Sequence, residues 1–154
     1  MIDFLKDRKQ RTTLNGCFST WKNVKAGVPQ GFILGPLLFL IYINDLPEGL
    51  SSNTKIFADD TSIFSNSSDP EISYRELTDD LMKIKNWAYQ WKMSFNPEPS
   101  KQAQEVIFSH KLIQLPHQLL NFNDYQVNQV TNQKHLGLIL DCKLNFDNHF
   151  QALS

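Results

Sequence analysis

Cysteine is almost missing from this chain: Cys17 and Cys142 are the two in 154 residues. Two distant thiols exclude a disulfide framework and a four-cysteine zinc site, and they are expected to be buried small residues in a reducing compartment. Six glycines and seven prolines are too few for a collagen-like or low-complexity chain. Charge of one sign is missing too. Fifteen Lys and Arg stand against sixteen Asp and Glu, a formal −1, so bulk charge gives no reason to expect binding to nucleic acid. Long hydrophobic runs are absent. The most apolar stretch, Pro36 to Ile43, has eight residues, where a bilayer crossing needs about 20. The opening MIDFLKDRKQR has no uninterrupted apolar segment of the kind a signal peptide carries. These absences imply an intracellular chain, nuclear or cytoplasmic, with no membrane partner.

Aromatic residues are plentiful: 3 Trp, 4 Tyr and 11 Phe, within a hydrophobic fraction of 41%. Disordered chains are poor in such residues. A chain of this length buries roughly two-thirds of its extended surface, enough for one domain with a real core. Charge is unevenly spread. The first 25 residues carry Lys6, Arg8, Lys9, Arg11, Lys22 and Lys25 against Asp3 and Asp7, while acidic residues gather from Asp45 to Asp80. The basic cluster fits a phosphate backbone or an ordinary solvated face equally well.

Thr12, Thr13 and Leu14 followed by Asn15-Gly16 read as a strand entering a tight turn, with Cys17 to Val24 returning. GVPQGFILG (27–35) is a backbone-dominated loop. Gly35-Pro36 then opens a helix over the apolar run, with Pro36 suited to the first helical position and Asp45-Leu46-Pro47 as the stop. In TKIFADDTSIF, two β-rich runs, Lys55-Ile56-Phe57 and Ser62-Ile63-Phe64, flank Asp59-Asp60. A hairpin with both carboxylates at its tip follows, because aspartate favours turns over strands. Tyr74, Leu77, Leu81, Ile84, Ala88 and Trp91 step by three and four along one stripe of a long helix, with Asp80 and Lys83 outside it. Phe39, Tyr42, Ile43, Trp87 and Trp91 are assigned to the core. Shorter strands are expected at Glu105–Ser109, Tyr125–Val127 and within Gln133–Asp141. The fold class is α+β, a mostly antiparallel sheet with helices packed on one face.

Adjacent aspartates at a hairpin tip repel unless a cation or proton compensates. A hard divalent ion such as Mg²⁺, with oxygen ligands near 2.1 Å, is the simplest compensation and suits phosphoryl or nucleotidyl transfer. A solvated surface turn is the commoner origin of an Asp-Asp pair. Competing chemistries are thin. His110, His117, His135 and His149 share no close ligand spacing with one another or with cysteine. No serine sits in a G-x-S-x-G elbow. Gly27, Gly31 and Gly35 lack the Walker lysine and the strand context of a dinucleotide fingerprint.

Taken together, GVPQGFILGPLLFLIYINDLP, KIFADDTSIF, WKMSFNPEPSKQAQEVIFS and QKHLGLILD, in that order and spacing, resemble the reverse transcriptase domain of non-LTR retrotransposons of the LINE or jockey-like type. The resemblance implies an RNA-directed DNA polymerase and the palm of a right-hand polymerase, with residues 1–150 a partial domain reaching toward the thumb and 151–154 a truncated tail. It implies Asp59 as principal metal ligand with Asp60 beside it, and a two-ion Mg²⁺ site. Pro29, Gln30 and Gly31 would orient template and incoming nucleotide. Phe32 stands where the family usually has a small serine, and it would either narrow that pocket or turn into the palm core. Lys101, after the turn containing Asn96, would neutralise the phosphates or protonate the leaving pyrophosphate. His135-Leu136-Gly137 would lie near the primer grip. RNA template, DNA primer and dNTP are the implied partners. The family's first catalytic aspartate precedes the glycine-rich block, and Asp3 and Asp7 do not stand in its motif. The chain alone is therefore expected to be a fragment with little or no activity, completed by a palm and fingers segment in trans. A non-catalytic nucleic-acid-binding remnant and an inert or protein-interacting fragment are the alternatives.

Overall fold

The computed structural model describes residues 5–25, 27–28, 31–96, 98, 102–109 and 118–153. The chain divides into two compact units, Met1–Asp45 and Leu46–Ser154.

The first unit is a β-ribbon followed by a helix. Strands β2 (Thr13–Leu14) and β3 (Cys17–Phe18) pair antiparallel across Asn15-Gly16. Both loop residues have positive φ, 48° and 79°, the backbone that makes Asn-Gly a favoured two-residue turn. The expected hairpin is present, and it extends outward through β1 (Lys9–Gln10) and β4 (Lys22–Asn23). The helix α1 spans Leu34–Ile43, two residues earlier than Pro36 at its first position would require. Pro36 falls in the third position, which it tolerates because the first four N–H groups of a helix have no intrahelical acceptor. Ile43 is buried and Phe39 and Tyr42 are half-buried.

The second unit is organised on the helix α2 (Pro70–Gln90). Asp69 caps its start, its carboxylate accepting from the Glu71 N–H at 2.9 Å, and Pro70 takes the first helical position, both favourable choices. At the other end, the Met93 N–H donates to the Ala88 carbonyl and the Lys92 N–H to Tyr89, with Lys92 at φ 55°. That is a Schellman stop with lysine where glycine is usual. Leu81, Ile84 and Ala88 are buried as the helical stripe predicts, but Trp91 is 43% exposed and Trp87 half-buried. Trp91 is thus not core: it sits at the stop, where the chain leaves the helix axis. The core is completed by Leu120, Phe122 and Val127, with Phe95 edge-on to Phe122 at 4.7 Å.

Before α2 stand β5 (Asn53–Phe57) and β6 (Asp60–Phe64). After it, β7 (Gln104–Glu105) pairs parallel with β10 (Asn128–Gln129). The hairpin β8–β9 (Asn121–Phe122 and Tyr125–Gln126) turns on Asn123-Asp124, and β11–β12 (Asn132–His135 and Leu138–Asp141) turns on Leu136-Gly137. The short helix α3 (Asp147–Leu153) packs on β12.

The α+β class holds, but the single sheet does not. Among the described residues every ladder is two-stranded, and all but β7–β10 are antiparallel. Two-residue turns specify local pairs, whereas joining ribbons edge to edge demands long-range pairing that the strands of two residues scarcely support. EVIFS (105–109) gives only its first residue to a strand, although the Ser109 N–H reaches the Cys142 carbonyl at 2.9 Å. Gln133–Asp141 makes two strands and a turn, not one strand. Cys17 is exposed and Cys142 half-buried, against the buried positions expected of both. Among the described residues no helix is long and apolar enough to cross a membrane.

Candidate functional site: an acid-tipped hairpin

The hairpin β5–β6 pairs Asn53 with Phe64, Thr54 with Ile63, Lys55 with Ser62, Ile56 with Thr61 and Phe57 with Asp60. Its loop is two residues, Ala58 and Asp59. Thr54 and Ile56 on one strand and Ser62 and Ile63 on the other are half-buried. Asp59 and Asp60 are both exposed, and Phe57 is 64% exposed. One refinement is needed: Asp59 lies in the turn, whereas Asp60 is the first residue of β6, opposite Phe57. The carboxylates thus leave the backbone from two different settings. Ala58 stands at φ 51°, a left-handed backbone that costs a Cβ-bearing residue about 1 kcal/mol.

The base of the hairpin is fixed by a residue that the pattern of charges put outside the helical stripe. Asp80, in the middle of α2, is the most buried polar residue described, with no exposure. Its Oδ2 accepts from the backbone N–H groups of Ser51 and Ser52 at 2.9 and 2.7 Å, and its Oδ1 from Ser51 N–H at 3.0 Å. Lys83 Nζ donates to Oδ1 at 2.9 Å and to the Gly49 carbonyl at 2.8 Å. Burial pushes the Asp80 carboxyl up, but Lys83 and the serine N–H donors outweigh it, and the pKa falls from 3.8 to about 2. The clamp therefore seizes the chain just before β5 begins. A signal existed: Asp80 is three residues after Leu77 and four before Ile84, which places it on the apolar stripe. Its charge alone argued otherwise.

A second carboxylate organises the chain's last turn. Asp141 accepts from the N–H groups of Lys143 (2.9 Å) and Asn145 (3.2 Å) on Oδ1, and of Phe146 (2.7 Å) on Oδ2. Its pKa is lowered because these backbone donors outweigh the desolvation that raises it.

In the first unit, Gly31 has φ 86° in the turn entering α1, and a Cβ there would meet nothing within 4 Å. Conformation, not space, is what glycine supplies. The Phe32 carbonyl accepts from the Gly35 N–H at 3.1 Å, and its ring is 56% exposed, which decides against a place in the core. Pro29, Gln30 and Lys101 lie outside the described residues. The turn before Lys101 is visible at Asn96, whose Oδ1 accepts from the Glu98 N–H at 3.0 Å. Among the described residues, no three His, Cys, Asp or Glu side chains gather as a metal site. Among the described residues, Asp59 and Asp60 are thus two oxygen donors with no third gathered beside them.

The class of protein is given by comparison with known proteins. The profile of the family "Reverse transcriptase (RNA-dependent DNA polymerase)" matches residues 2–140; the chain belongs to the reverse transcriptase family. It is similar to the RNA-directed DNA polymerase from mobile element jockey of Drosophila funebris, with 30% identity over 97% of this chain and 17% of that protein. It is also similar to the probable RNA-directed DNA polymerase from transposon X-element of Drosophila melanogaster, at 30% identity over 95% of the chain and 16% of the relative. The corresponding protein from transposon BS of the same species is 26% identical over 97% of the chain. The chain therefore spans about one-sixth of the length of these curated relatives. No solved structure matches it significantly.

Proposed function

We propose that this chain is the part of a retrotransposon reverse transcriptase palm that carries the metal-binding hairpin and contributes to template-directed nucleotidyl transfer. The observation that carries the reading is the placement of Asp59 and Asp60 at the exposed end of a hairpin whose base is held by the buried Asp80 carboxylate. Two exposed carboxylates present hard oxygen donors, the chemistry that Mg²⁺ takes in sites it shares with phosphate and water. Bound there, magnesium would supply charge neutralisation and activation of the attacking primer oxygen.

In this reading Asp59 and Asp60 are the residues that would hold the ions. Gln30 and the backbone at Gly31 orient the RNA template and incoming dNTP, and Phe32 walls the pocket where a serine is usual. Lys101 stands by the leaving pyrophosphate, as a neutralising charge or proton donor. A further carboxylate, from outside the described residues or from another segment in trans, completes the ion site. The chain by itself is accordingly weak or inactive.

The test is Mg²⁺-dependent extension of a DNA primer on an RNA template by the chain and by Asp59→Asn (D59N). Loss of a metal ligand is worth several kcal/mol of transition-state stabilisation, so D59N should lose about 10³-fold in any measurable incorporation. Equal incorporation by both would overturn the assignment. Where neither extends, Mn²⁺ broadening of the amide resonances of Ala58 to Thr61, absent in D59N, reads the metal site directly. No broadening at 10 mM (about tenfold above an ordinary weak carboxylate site) would refute it.

A further inference from the structure

The tip of the first unit's ribbon is the one Asn-Gly pair in the chain, Asn15-Gly16. Two reactive groups are neighbours there. The side-chain amide carbon of Asn15 is an electrophile, and the backbone nitrogen of Gly16 is a nucleophile once it loses its proton. Joining them closes a five-membered imide. A side chain on the second residue would obstruct that closure, and glycine has none. The surrounding chain does not restore the obstruction, because a Cβ built at Gly16 would meet nothing within 4 Å. Among the described residues, neither the Asn15 side chain nor the Gly16 N–H has a hydrogen-bond partner.

The turn itself is weakly held. Strands β2 and β3 have two residues each, and every residue from Lys9 to Asn23 is exposed. Such a hairpin is marginally stable and opens at low free energy. Opening matters: in a type I′ turn the Asn15 amide and the Gly16 nitrogen point apart, and rotation about the Asn15 Cα–C bond brings them together. Charge helps as well. Residues 8–25 contain Arg8, Lys9, Arg11, Lys22 and Lys25 and no Asp or Glu, and surrounding positive charge favours the deprotonated backbone nitrogen.

We propose that Asn15 is a self-modification site, converted through an imide with Gly16 to isoaspartate and aspartate. The Gly16 nitrogen bonds to Asn15 Cγ and gives its proton to solvent base. The side-chain nitrogen leaves as ammonia, with one proton returned from solvent. Water then opens the imide, at Cγ to give aspartate or at the main-chain carbonyl to give isoaspartate. Isoaspartate routes the main chain through Cγ and so adds a methylene to a two-residue loop. Either product puts a carboxylate on a tip that had none. The pairs Thr13–Phe18 and Leu14–Cys17, and the bonds of 2.9 and 3.0 Å exchanged by Thr12 and Ser19, depend on that loop. The foot of the ribbon does not: the Val24 N–H donates to the Arg8 carbonyl at 2.8 Å, and the Arg8 guanidinium donates to the Leu5 and Gly27 carbonyls. Isoaspartate therefore unfastens the tip and leaves the foot closed.

The experiment incubates the full chain at neutral and alkaline pH and follows every asparagine by peptide mapping with mass spectrometry; enzymatic methylation of isoaspartyl groups reads the rearranged product. Asn123 is the internal control. Asn123 and Asp124 form a turn with φ of 48° and 71°, but Asp124 carries a Cβ and is ion-paired to Lys85. Asn15 should be converted several-fold faster than Asn123, at a rate proportional to hydroxide. Gly16→Ala should slow it several-fold even where the substitution loosens the turn, so this reading does not depend on the variant's folding. The rate in the folded chain should lie within about a hundredfold of the rate in urea, as a low opening free energy requires. In the aged protein the amide resonances of Thr13 and Phe18 should move to coil positions while that of Val24 stays. Asn15 lost no faster than Asn123, a Gly16→Ala rate equal to the parent's, or a larger gap from the urea rate overturns the site. Unmoved Thr13 and Phe18 resonances in fully converted protein overturn the unfastening.

Discussion

Replacing Asp80 by Asn should be the most destabilising conservative change in the second unit. The carboxylate receives donors from Ser51, Ser52 and Lys83 in a site with no solvent exposure. Asn offers one carbonyl oxygen in place of two carboxylate oxygens, and its NH₂ would face a backbone N–H. One buried donor left unsatisfied costs about 1–3 kcal/mol. The lowered pKa gives an independent figure: a fall from 3.8 to about 2 corresponds to about 2 kcal/mol of stability at neutral pH. Breaking a buried pair typically costs 3–5 kcal/mol, but the Lys83 side chain is 45% exposed and regains water. We therefore expect about 3 kcal/mol for D80N. With a urea m-value of about 2 kcal/mol/M, the midpoint falls by about 1.5 M. The pH dependence adds a second constraint. Because the folded pKa lies below the unfolded one, the stabilisation is present above about pH 4 and is lost as pH falls toward 2. The gap between parent and D80N should accordingly narrow by about 2 kcal/mol between pH 7 and pH 2. A midpoint shift under about 0.3 M at pH 7, or a gap that does not narrow in acid, would refute the clamp.

Ala58→Gly should stabilise the hairpin by about 0.5 kcal/mol, since φ 51° strains alanine and the gain exceeds glycine's unfolded-state entropy; a urea midpoint that falls would count against the turn geometry. Lys85→Met removes the 2.9 Å ion pair to Asp124, whose side chains are 44% and 89% exposed. Thermal denaturation should move by less than the equivalent of about 0.5 kcal/mol, and a larger drop would mean that this pair holds β8–β9 to α2.

Local chemistry was the legible part. Asn15-Gly16, the flanked aspartates and the three-four spacing from Leu77 to Ala88 each produced the element they predict, because turn backbone and helical period are set by neighbouring residues. Position in a ladder was harder to read. Asp60 belongs to a strand and Asp59 to the turn because Ala58, a residue with no special turn preference, takes the left-handed backbone. The Leu136-Gly137 turn was likewise hidden, since Leu136 at φ 48° advertises nothing. Asp80 was misread for the converse reason. Its role depends on Ser51 and Ser52, some thirty residues earlier, and no local pattern says that two backbone N–H groups will meet it. The edge pairing that would join ribbons into one sheet is non-local in the same sense.

The two-residue loops also separate what is local from what is not. Ribbons closed by Asn15-Gly16, Ala58-Asp59 and Asn123-Asp124 involve contacts a few residues apart, and such hairpins form in about 1–10 μs. The Asp80 clamp joins residues 28 and 29 apart in the chain and requires α2 to have formed. The shape of the acidic hairpin is thus written into its own residues, Asn53 to Phe64, whereas its aim is written some thirty residues further on, in a carboxylate of α2: the two can be altered independently.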